Sequence, residues 1–339
     1  MHQKINRIIW GIALILLIGL GISLLFRDQV SLYQETYPYF DTEIHVQIYE
    51  KDRQKVEKVF QKIDEIYDSY EKLTDTEQAY DDMVNLYTIA TNEETKESLV
   101  LEDRLYRLLE EITKFSEEID GRITFHHGSL YQGWNDVIEK KDGIPSTEEI
   151  ARWNEEDQSE IHLLEDHRIE NNHPHIYLGK IPIGFANDEI ISYLEEEGIE
   201  HYLIQENGNA TMGTSLEEEP YKVALEIPWE EEDSVTILSL KNKTVVTYGR
   251  DQDTYSYEGK TYHHLIDPST SYPEEEMDKV TTIAEDPIQA YLLGYAFYLL
   301  PLETGQELAK DKGVDVLWYD YGEVRTMTEQ FSSYVMKNV

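Results

Sequence analysis

The chain has 339 residues, which is long enough to bury a sizeable core in one large two-part domain or in two or three ordinary domains. Its 69 acidic and 29 basic side chains give a formal net charge of −40, and no stretch gathers the basic residues into a phosphate-binding face, so nucleic-acid binding is excluded. Cysteine is absent, which excludes disulfides, zinc–thiolate sites, iron–sulfur clusters and thiol nucleophiles.

The N-terminal segment has the composition of a membrane anchor. Ile8 to Phe26 is a run of 19 residues without a charge, and as a helix it is about as long as the hydrocarbon core of a bilayer is thick. Lys4 and Arg7 precede the run and no small-residue cleavage pattern follows it, so we expect an uncleaved signal anchor in the cell membrane. The predicted organisation is a cytoplasmic N-terminus (1–7), one transmembrane helix (8–26), a linker (27–36) and one extracytoplasmic domain (37–339).

The spacing of apolar residues predicts the first elements of the outer part. Alternation over 44–48 predicts a strand, because every second residue then faces a core. Three- and four-residue spacing predicts amphipathic helices over 56–67 and 105–115. The polar stretch 138–175 is expected to be a surface connection that contains one helix, starting at Ser146.

The second half of the chain is predicted to be rich in strands. Short alternating runs at 221–228, 234–240 and 243–249 indicate consecutive antiparallel strands. The apolar run 287–300 is too short to span a bilayer, so it predicts a helix buried between sheets, with a further helix and strand after it. Because helices and antiparallel strands segregate instead of alternating, the predicted fold class is α+β.

The segment 257–273 (YEGKTYHHLIDPSTSYP) carries the residues best suited to chemistry. A strand ends at His263 and His264, and Asp267-Pro268 then forces a turn that places hydroxyl side chains beside an imidazole. A histidine followed by an aspartate three residues later can act as a general base with an orienting carboxylate. The alternative interpretation is that one histidine packs, the other is solvated, and Asp267 only caps the turn.

Six segments, in this order, resemble the ApbE family, the FAD:protein FMN transferases. The second segment, residues 63–75, resembles the family's helix that ends in an aromatic flavin contact. The third segment, residues 120–134, resembles the family's Gly-x-Phe-Asp-x-Thr-x-Gly-Pro-Leu-x-x-x-Trp motif. The fourth segment, residues 176–191, resembles its Ile-Asp-Leu-Gly-Gly-Ile-Ala-Lys-Gly-Tyr-Ala-x-Asp motif. The fifth segment, residues 203–213, resembles the family's Gly-Gly-Asn turn. The last segment, residues 245–273, resembles its Thr-Ser-Gly strand and its His-His-Ile-Ile-Asp-Pro-x-Thr-Gly ending. The segments are YPYFDTEIHVQIY (37–49), IDEIYDSYEKLTD (63–75), DGRITFHHGSLYQGW (120–134), IYLGKIPIGFANDEII (176–191), LIQENGNATMG (203–213) and VVTYGRDQDTYSYEGKTYHHLIDPSTSYP (245–273).

The resemblance implies a two-part, T-fold-related α+β domain with mainly antiparallel sheets and packed helices, which binds FAD between its halves with Mg²⁺ on the pyrophosphate. It implies transfer of FMN to a Thr or Ser hydroxyl of an exported protein of a membrane redox system, with release of AMP. By the match, His264 would assist the attacking hydroxyl and Asp267 would fix the turn. The implied cofactor-binding residues are Tyr70, Gly184, Asp188, Gly208 and Thr247.

The chain departs from the family at its charged positions. The family's metal-holding helix begins Ala-Asp-Ala-Leu-x-Thr, and here Tyr291 and Tyr295 replace the carboxylate and the hydroxyl. A neutral phenol is a poor ligand for Mg²⁺, so the expected ligand positions are not kept and no metal ligand is assigned. The motif's lysine, one aspartate and last glycine are likewise replaced, by Ile183, Tyr177 and Ser271.

Two hypotheses about function follow. One is a membrane-anchored FMN transferase; the other is a catalytically inactive relative that keeps the fold as a flavin-binding or partner-binding module. A third, a structural ectodomain without a ligand, is favoured if Tyr177, Tyr291 and Tyr295 fill the pocket. Three close histidine pairs could in principle bind zinc or copper, but chance adjacency among 11 histidines is the preferred interpretation.

Overall fold

The computed structural model describes residues 30–92, 98–119, 121, 123–141, 143–216, 219–225, 236–251, 254–320 and 323–336. The predicted anchor, 8–26, lies outside this part of the chain, and no helix within it is long and apolar enough to cross a bilayer. The strands are β1 (Ser31–Tyr39), β2 (Thr42–Glu50), β3 (Leu99–Val100), β4 (Leu163–Leu164), β5 (Arg168–Ile169), β6 (Tyr202–Glu206), β7 (Asn209–Met212), β8 (Tyr221–Leu225), β9 (Thr236–Leu240), β10 (Lys243–Gly249), β11 (Thr254–Tyr257), β12 (Lys260–His263), β13 (Ile266–Asp267), β14 (Tyr272–Pro273), β15 (Lys279–Ala284), β16 (Asp315–Asp320) and β17 (Glu323–Met327). The helices are α1 (Arg53–Thr74), α2 (Leu86–Thr91), α3 (Asp103–Glu118), α4 (Gly128–Lys140), α5 (Thr147–Glu156), α6 (Ile181–Glu196), α7 (Pro287–Leu299), α8 (Leu302–Lys312) and α9 (Phe331–Tyr334).

An antiparallel sheet of eight strands forms the centre of the described part of the chain. Its strand order is β1-β2-β6-β7-β10-β15-β16-β17, and each neighbouring pair in it is antiparallel. Because side chains alternate along each strand, the sheet buries two faces. Helices cover one face and a hairpin covers the other, so the predicted α+β class with mainly antiparallel sheets is confirmed.

Helices α1, α6 and α7 cover the face of the sheet that positions the candidate site. α7 packs against β10, β15 and α6, which explains why its sequence is apolar on nearly every side. Asp286 starts α7 by accepting hydrogen bonds from the N–H groups of Ile288 and Gln289. The predicted helix at 287–300 is therefore confirmed, although it lies between a sheet and a helix and not between two sheets.

The opposite face of the sheet is covered by the β8–β9 hairpin and by α9. Apolar residues of the hairpin, of α9 and of β7, β10, β15 and β16 form a second buried cluster, which includes Val223, Leu238, Val245, Ile283, Leu317 and Phe331. The three predicted consecutive strands are present as β8, β9 and β10; β8 pairs with β9, whereas β10 pairs with β7 and β15, all antiparallel. β10 is buried on both faces, as a central strand must be, whereas β8 alternates between buried and exposed residues.

A mainly helical excursion, residues 76–177, separates α1 from α6. It contains α2 to α5 and a small sheet of order β3-β5-β4. The predicted helix start at Ser146 is confirmed, since Ser146 and Glu149 form a reciprocal capping box. At the start of α4, the carboxylate of Asp157 accepts the N–H groups of Ser129 and Leu130 at 2.9 and 3.0 Å.

The folded part begins earlier than the sequence predicted. β1 pairs with β2 along its whole length, with Ser31 opposite Glu50 and Tyr39 opposite Thr42, so residues 31–36 belong to the sheet and not to a linker. β1 is an edge strand with mostly exposed side chains, and it therefore lacks the apolar alternation from which strands are predicted.

Candidate functional site

The two neighbouring histidines at the end of β12 occupy different environments. His263 is buried, its Nε2 lies 2.7 Å from the carbonyl oxygen of Glu274, and the N–H of Leu265 lies 3.3 Å from its Nδ1. Burial lowers the pKa of His263 to about 4, so the ring is neutral at neutral pH and holds the turn in place. His264, in contrast, is partly exposed.

Asp267 shapes the turn that follows these histidines. Its carboxylate oxygens accept the backbone N–H of Ser269 at 2.8 Å and the hydroxyl of the same residue at 2.7 Å. Its carbonyl oxygen accepts the N–H of Ser271 at 2.8 Å. Both carboxylate oxygens are thus used inside the turn, as is typical of an aspartate before proline.

Ser271 stands where the motif has glycine, and it keeps a glycine-like backbone with φ of +63°. Its carbonyl oxygen accepts the indole N–H of Trp134 and its hydroxyl accepts the side-chain amide of Asn154, both at 2.9 Å. A left-handed conformation costs a non-glycine residue about 1–2 kcal/mol. The contacts to α4 and α5 offset this cost and fix the turn against the helices.

Five tyrosines fill the space between this turn and the sheet, and we call them the tyrosine cluster: Tyr131, Tyr177, Tyr248, Tyr291 and Tyr295. Tyr131 and Tyr177 stack with ring centroids 4.3 Å apart, and Tyr131 donates to the carbonyl oxygen of Ile266 at 3.0 Å. The hydroxyl oxygens of Tyr131 and Tyr295 lie 2.5 Å apart, and Tyr248 donates to the carbonyl oxygen of Tyr291 at 3.2 Å. All of the cluster except Tyr177 is buried, so the cluster is part of the core.

Glu206, the last residue of β6, is a buried acid at the inner end of the cluster. Its Oε1 accepts the hydroxyl of Tyr291 at 2.7 Å and the side-chain amide of Asn209 at 2.5 Å. Its Oε2 is buried and has no hydrogen-bond partner among the described residues. Burial raises the pKa of Glu206, and the nearby positive charge of Lys180 opposes that shift.

Three of the five implied cofactor-binding residues, Gly184, Gly208 and Thr247, lie around the carboxyl group of Glu206. Gly184 packs against Tyr291: a Cβ at Gly184 would lie 2.9 Å from Cδ2 of that ring. Gly208 adopts φ of +86° in the turn between β6 and β7. Thr247 donates its N–H to Oδ1 of Asn209 at 2.8 Å, and its hydroxyl lies 2.9 Å from that of Thr281.

The other two implied residues, Tyr70 and Asp188, lie in a different neighbourhood. Tyr70 is 1% exposed, and the guanidinium carbon of Arg104 lies 5.8 Å from its ring centroid. Asp188 forms an ion pair with Arg107, with Oδ2 and Nη2 2.7 Å apart. These contacts join α1, α3 and α6, so Tyr70 packs in the core and does not line an open flavin site.

The residues on α7 do not fit the Mg²⁺ that the resemblance implies. Tyr291 and Tyr295 each use the hydroxyl in a hydrogen bond to another side chain, and burial raises the pKa of both phenols. Octahedral Mg²⁺ needs charged or strongly polar oxygen ligands at close range. Across the described residues, no group of three or more His, Asp or Glu side chains is arranged to hold a metal ion.

A cleft of about 810 Å³ opens beside the tyrosine cluster, between α4 and α5. Trp153, Val137 and Ile176 contribute apolar surface, and Tyr177 lies where the cleft meets the cluster. Its charged lining has both signs: Lys140 and Arg152 pair with Asp136 and Glu156, and Glu149 adds a further carboxylate. The size and the mixed lining are typical of small-molecule sites. The stretch 138–175, predicted to be a surface connection with one helix, supplies one wall of this cleft.

Sequence reasoning missed Glu206 and the partners of the tyrosines. One signal was available: Glu206 continues the buried side of β6, after Tyr202 and Ile204. An acid at an apolar position of a strand indicates a buried partner, but the sequence does not show which residue that partner is.

Comparisons with known proteins place this geometry in a family. The sequence matches the ApbE family over residues 40–318. It is 26% identical over 236 residues to the FAD:protein FMN transferase of Escherichia coli K12, which covers 66% of this chain and 67% of that protein. The crystal structure of the apo flavinyl transferase ApbE of Pseudomonas stutzeri superposes with a TM-score of 0.76 at 20% identity, over 92% of this chain and 99% of that one. The ApbE protein of Thermotoga maritima gives 0.73 at 22% identity, over 91% and 100%.

Proposed function

Because this chain belongs to the ApbE family, we propose that its substrate is FAD and that it transfers FMN to a Thr or Ser hydroxyl of an exported protein of a membrane redox system. The observation that carries the proposal is the turn after β12. There the buried His263 and the closed Asp267 turn hold His264 in a fixed, partly exposed position. The curated relatives, named FAD:protein FMN transferases, support the reaction class.

The proposed reaction needs one proton acceptor and a site for a dinucleotide. The acceptor hydroxyl oxygen attacks the phosphorus of the FMN half of FAD, the bond from that phosphorus to the bridging oxygen breaks, and AMP leaves with that oxygen. His264 takes the hydroxyl proton as a general base. The cleft beside Tyr177 offers the apolar surface of Trp153 and Ile176 for the rest of FAD. No step is assigned to a metal ion, since the α7 residues do not fit one.

The proposal includes the location of the domain. The uncharged run 8–26 after Lys4 and Arg7 supports a single-pass anchor with the folded domain outside the cell membrane. With this orientation, the folded domain that contains the tyrosine cluster would face exported acceptor proteins.

A second candidate function is a non-catalytic module that binds a flavin or a partner protein. The observation that favours it is that Tyr291 and Tyr295 fill the position of the family's metal-holding residues, and their hydroxyls are hydrogen-bonded to Glu206 and Tyr131 respectively. Loss of a metal ion removes several kcal/mol of stabilisation from a phosphoryl-transfer transition state, so it slows transfer by orders of magnitude.

One experiment separates the candidates. The full-length protein in detergent micelles is titrated with FAD while flavin fluorescence is followed, and AMP release is measured with a generic FMN-acceptor domain. AMP release and flavinylated acceptor, both lost in His264→Ala with an unchanged unfolding midpoint, would establish transfer. FAD binding without AMP release would establish the flavin-binding module, and absence of FAD binding would contradict both the transferase and the flavin-binding module.

A further inference from the structure

We propose that Tyr291, Glu206 and Asn209 replace the family's metal ion with a hydrogen-bonded lock of protein groups, so that this chain holds the end of β6 against α7 without a divalent cation. The proposal depends on the proposed function in one respect: the family assignment indicates where in the fold a metal ion would be expected to bind. It assigns a role to Glu206, which the motif comparison did not identify.

The first argument is the donor set. Tyr291 donates to Glu206 Oε1 at 2.7 Å, and Asn209 donates to the same oxygen at 2.5 Å. One carboxylate oxygen therefore receives two protein donors, and these provide the positive partial charges that a cation would otherwise supply. The second α7 position is also engaged, because the hydroxyls of Tyr295 and Tyr131 lie 2.5 Å apart.

The second argument is space. The ring of Tyr291 is 1% exposed and lies in close contact with α6, where Gly184 has no side chain to oppose it. Tyr248 donates to the backbone carbonyl of Tyr291, so the turn of α7 that carries the ring is also fixed. Ring carbons fill the volume that ligands and water would need around a hard cation.

The third argument is charge. Glu206 is a single carboxyl group, and its positive neighbour is Lys180, which precedes α6. Burial disfavours the ionised form of this carboxyl group, which makes it a still weaker ligand for a cation. A divalent ion would add charge beside Lys180 while gaining only one carboxylate ligand, which is a weak site for Mg²⁺.

The test measures metal binding without FAD, so its outcome is independent of flavin binding and of AMP release. The full-length wild-type protein is titrated with Mn²⁺, with free Mn²⁺ followed by electron paramagnetic resonance, and its unfolding midpoint is measured with and without millimolar Mg²⁺. We expect no saturable Mn²⁺ binding and no shift of the midpoint. In the back-substituted variant Tyr291→Asp/Tyr295→Thr we expect saturable Mn²⁺ binding and a metal-dependent rise of several degrees.

Control variants keep the proposal falsifiable. Tyr298→Phe removes a buried hydroxyl of the same helix that donates to the carbonyl oxygen of Met277, and this variant should bind no metal. Tyr291→Phe keeps the ring and should also bind none. Saturable Mn²⁺ binding by the wild type that disappears in Glu206→Gln would overturn the proposal. A folded back-substituted variant that binds no metal would overturn it too, and if that variant does not fold, the wild-type titration decides.

Discussion

Gly184 on α6 lies directly against the ring of Tyr291 on α7. A Cβ at Gly184 would lie 2.9 Å from Cδ2 of that ring and 3.1 Å from the carbonyl oxygen of Pro287. The motif match gave this glycine to a flavin pocket, but in the structure it allows two helices to approach closely. The residue that replaces a metal ligand and the glycine of the neighbouring motif therefore form a single packing unit.

We predict that Gly184→Ala destabilises the fold by about 1–3 kcal/mol, because the added methyl group overpacks a rigid contact. Alanine would otherwise favour the helix by about 1 kcal/mol. Denaturant unfolding measures the change. Gly305→Ala is the matched control in α8, since its Cβ would meet the ring edge of Trp318 at 3.3 Å and no backbone atom. Equal effects of the two substitutions would contradict the close-approach explanation.

The hydroxyl of Tyr291 should contribute more stability than that of Tyr298, although both are buried tyrosines of α7. Tyr291→Phe removes a donor from the buried carboxyl of Glu206 and should cost about 1.5–3 kcal/mol. Tyr298→Phe removes a neutral hydrogen bond to a carbonyl and should cost about 1 kcal/mol. Urea unfolding of the two variants side by side checks this order. If Tyr291→Phe were as stable as the wild type, Glu206 would not depend on the phenol.

The sequence predicted those helices and strands that are determined by apolar spacing or by a capping residue within a single segment. The apolar run at 287–300 predicted α7, and Ser146 predicted the start of α5, each within a residue or two. The spacing over 56–67 predicted α1, which extends seven residues further, to Thr74. The edge strand β1 was missed because most of its side chains face solvent, so its sequence has no apolar alternation.

The candidate site was harder to predict because its contacts are long-range. Tyr291 meets Glu206 across 85 residues, and Tyr131 meets Tyr295 across 164. No periodicity of a single segment contains such pairs. Tyr70 is an instructive case, because it shares the buried face of α1 with Ile63 and Ile66. Helical spacing alone would have placed it in the core, where it lies.

Ser271 provides a test of how the turn tolerates a side chain at positive φ. Ser271→Gly removes about 1–2 kcal/mol of backbone cost but also loses the hydrogen bond from Asn154, about 1 kcal/mol. We predict that Ser271→Gly stabilises the Asn154→Ala background by more than it stabilises the wild type. A double-mutant cycle by chemical denaturation measures this coupling. A coupling energy of zero would show that the Asn154 contact does not support the turn.

Asp157 caps α4 from outside the helix, so its removal should destabilise a helix that does not contain it. Its carboxylate accepts the N–H groups of Ser129 and Leu130, while the N-cap residue His127 makes no side-chain cap. Asp157→Ala should cost about 1–2 kcal/mol, with faster amide hydrogen exchange in the first turn of α4. Ser146→Ala, which removes the cap of α5, is the matched control and should speed exchange in α5 instead. Exchange in α4 that stays unchanged in Asp157→Ala would refute the assignment.

His263 should make the stability of the fold depend on pH in the acidic range. A histidine in the unfolded chain has a pKa of about 6.5, and burial lowers the pKa of His263 in the folded protein to about 4. Between these values the unfolded state binds more protons, so stability is present above pH 6.5 and is lost as the pH falls towards 4. The loss amounts to at most roughly 3 kcal/mol.

The comparison that isolates this effect is between the wild type and His263→Gln, because the carboxyl groups contribute almost equally to both proteins and cancel in the difference. The free energy of unfolding in urea should favour the wild type at pH 7, and the advantage should shrink as the pH falls to 4. The matched control is His45→Gln, which changes a histidine whose side chain is 53% exposed, so the two substitutions compare a buried imidazole with an exposed one. An advantage of the wild type over His263→Gln that does not change between pH 7 and 4 would mean that the imidazole has the same pKa in the folded and unfolded states. That result would contradict the conclusion that burial lowers the pKa of His263.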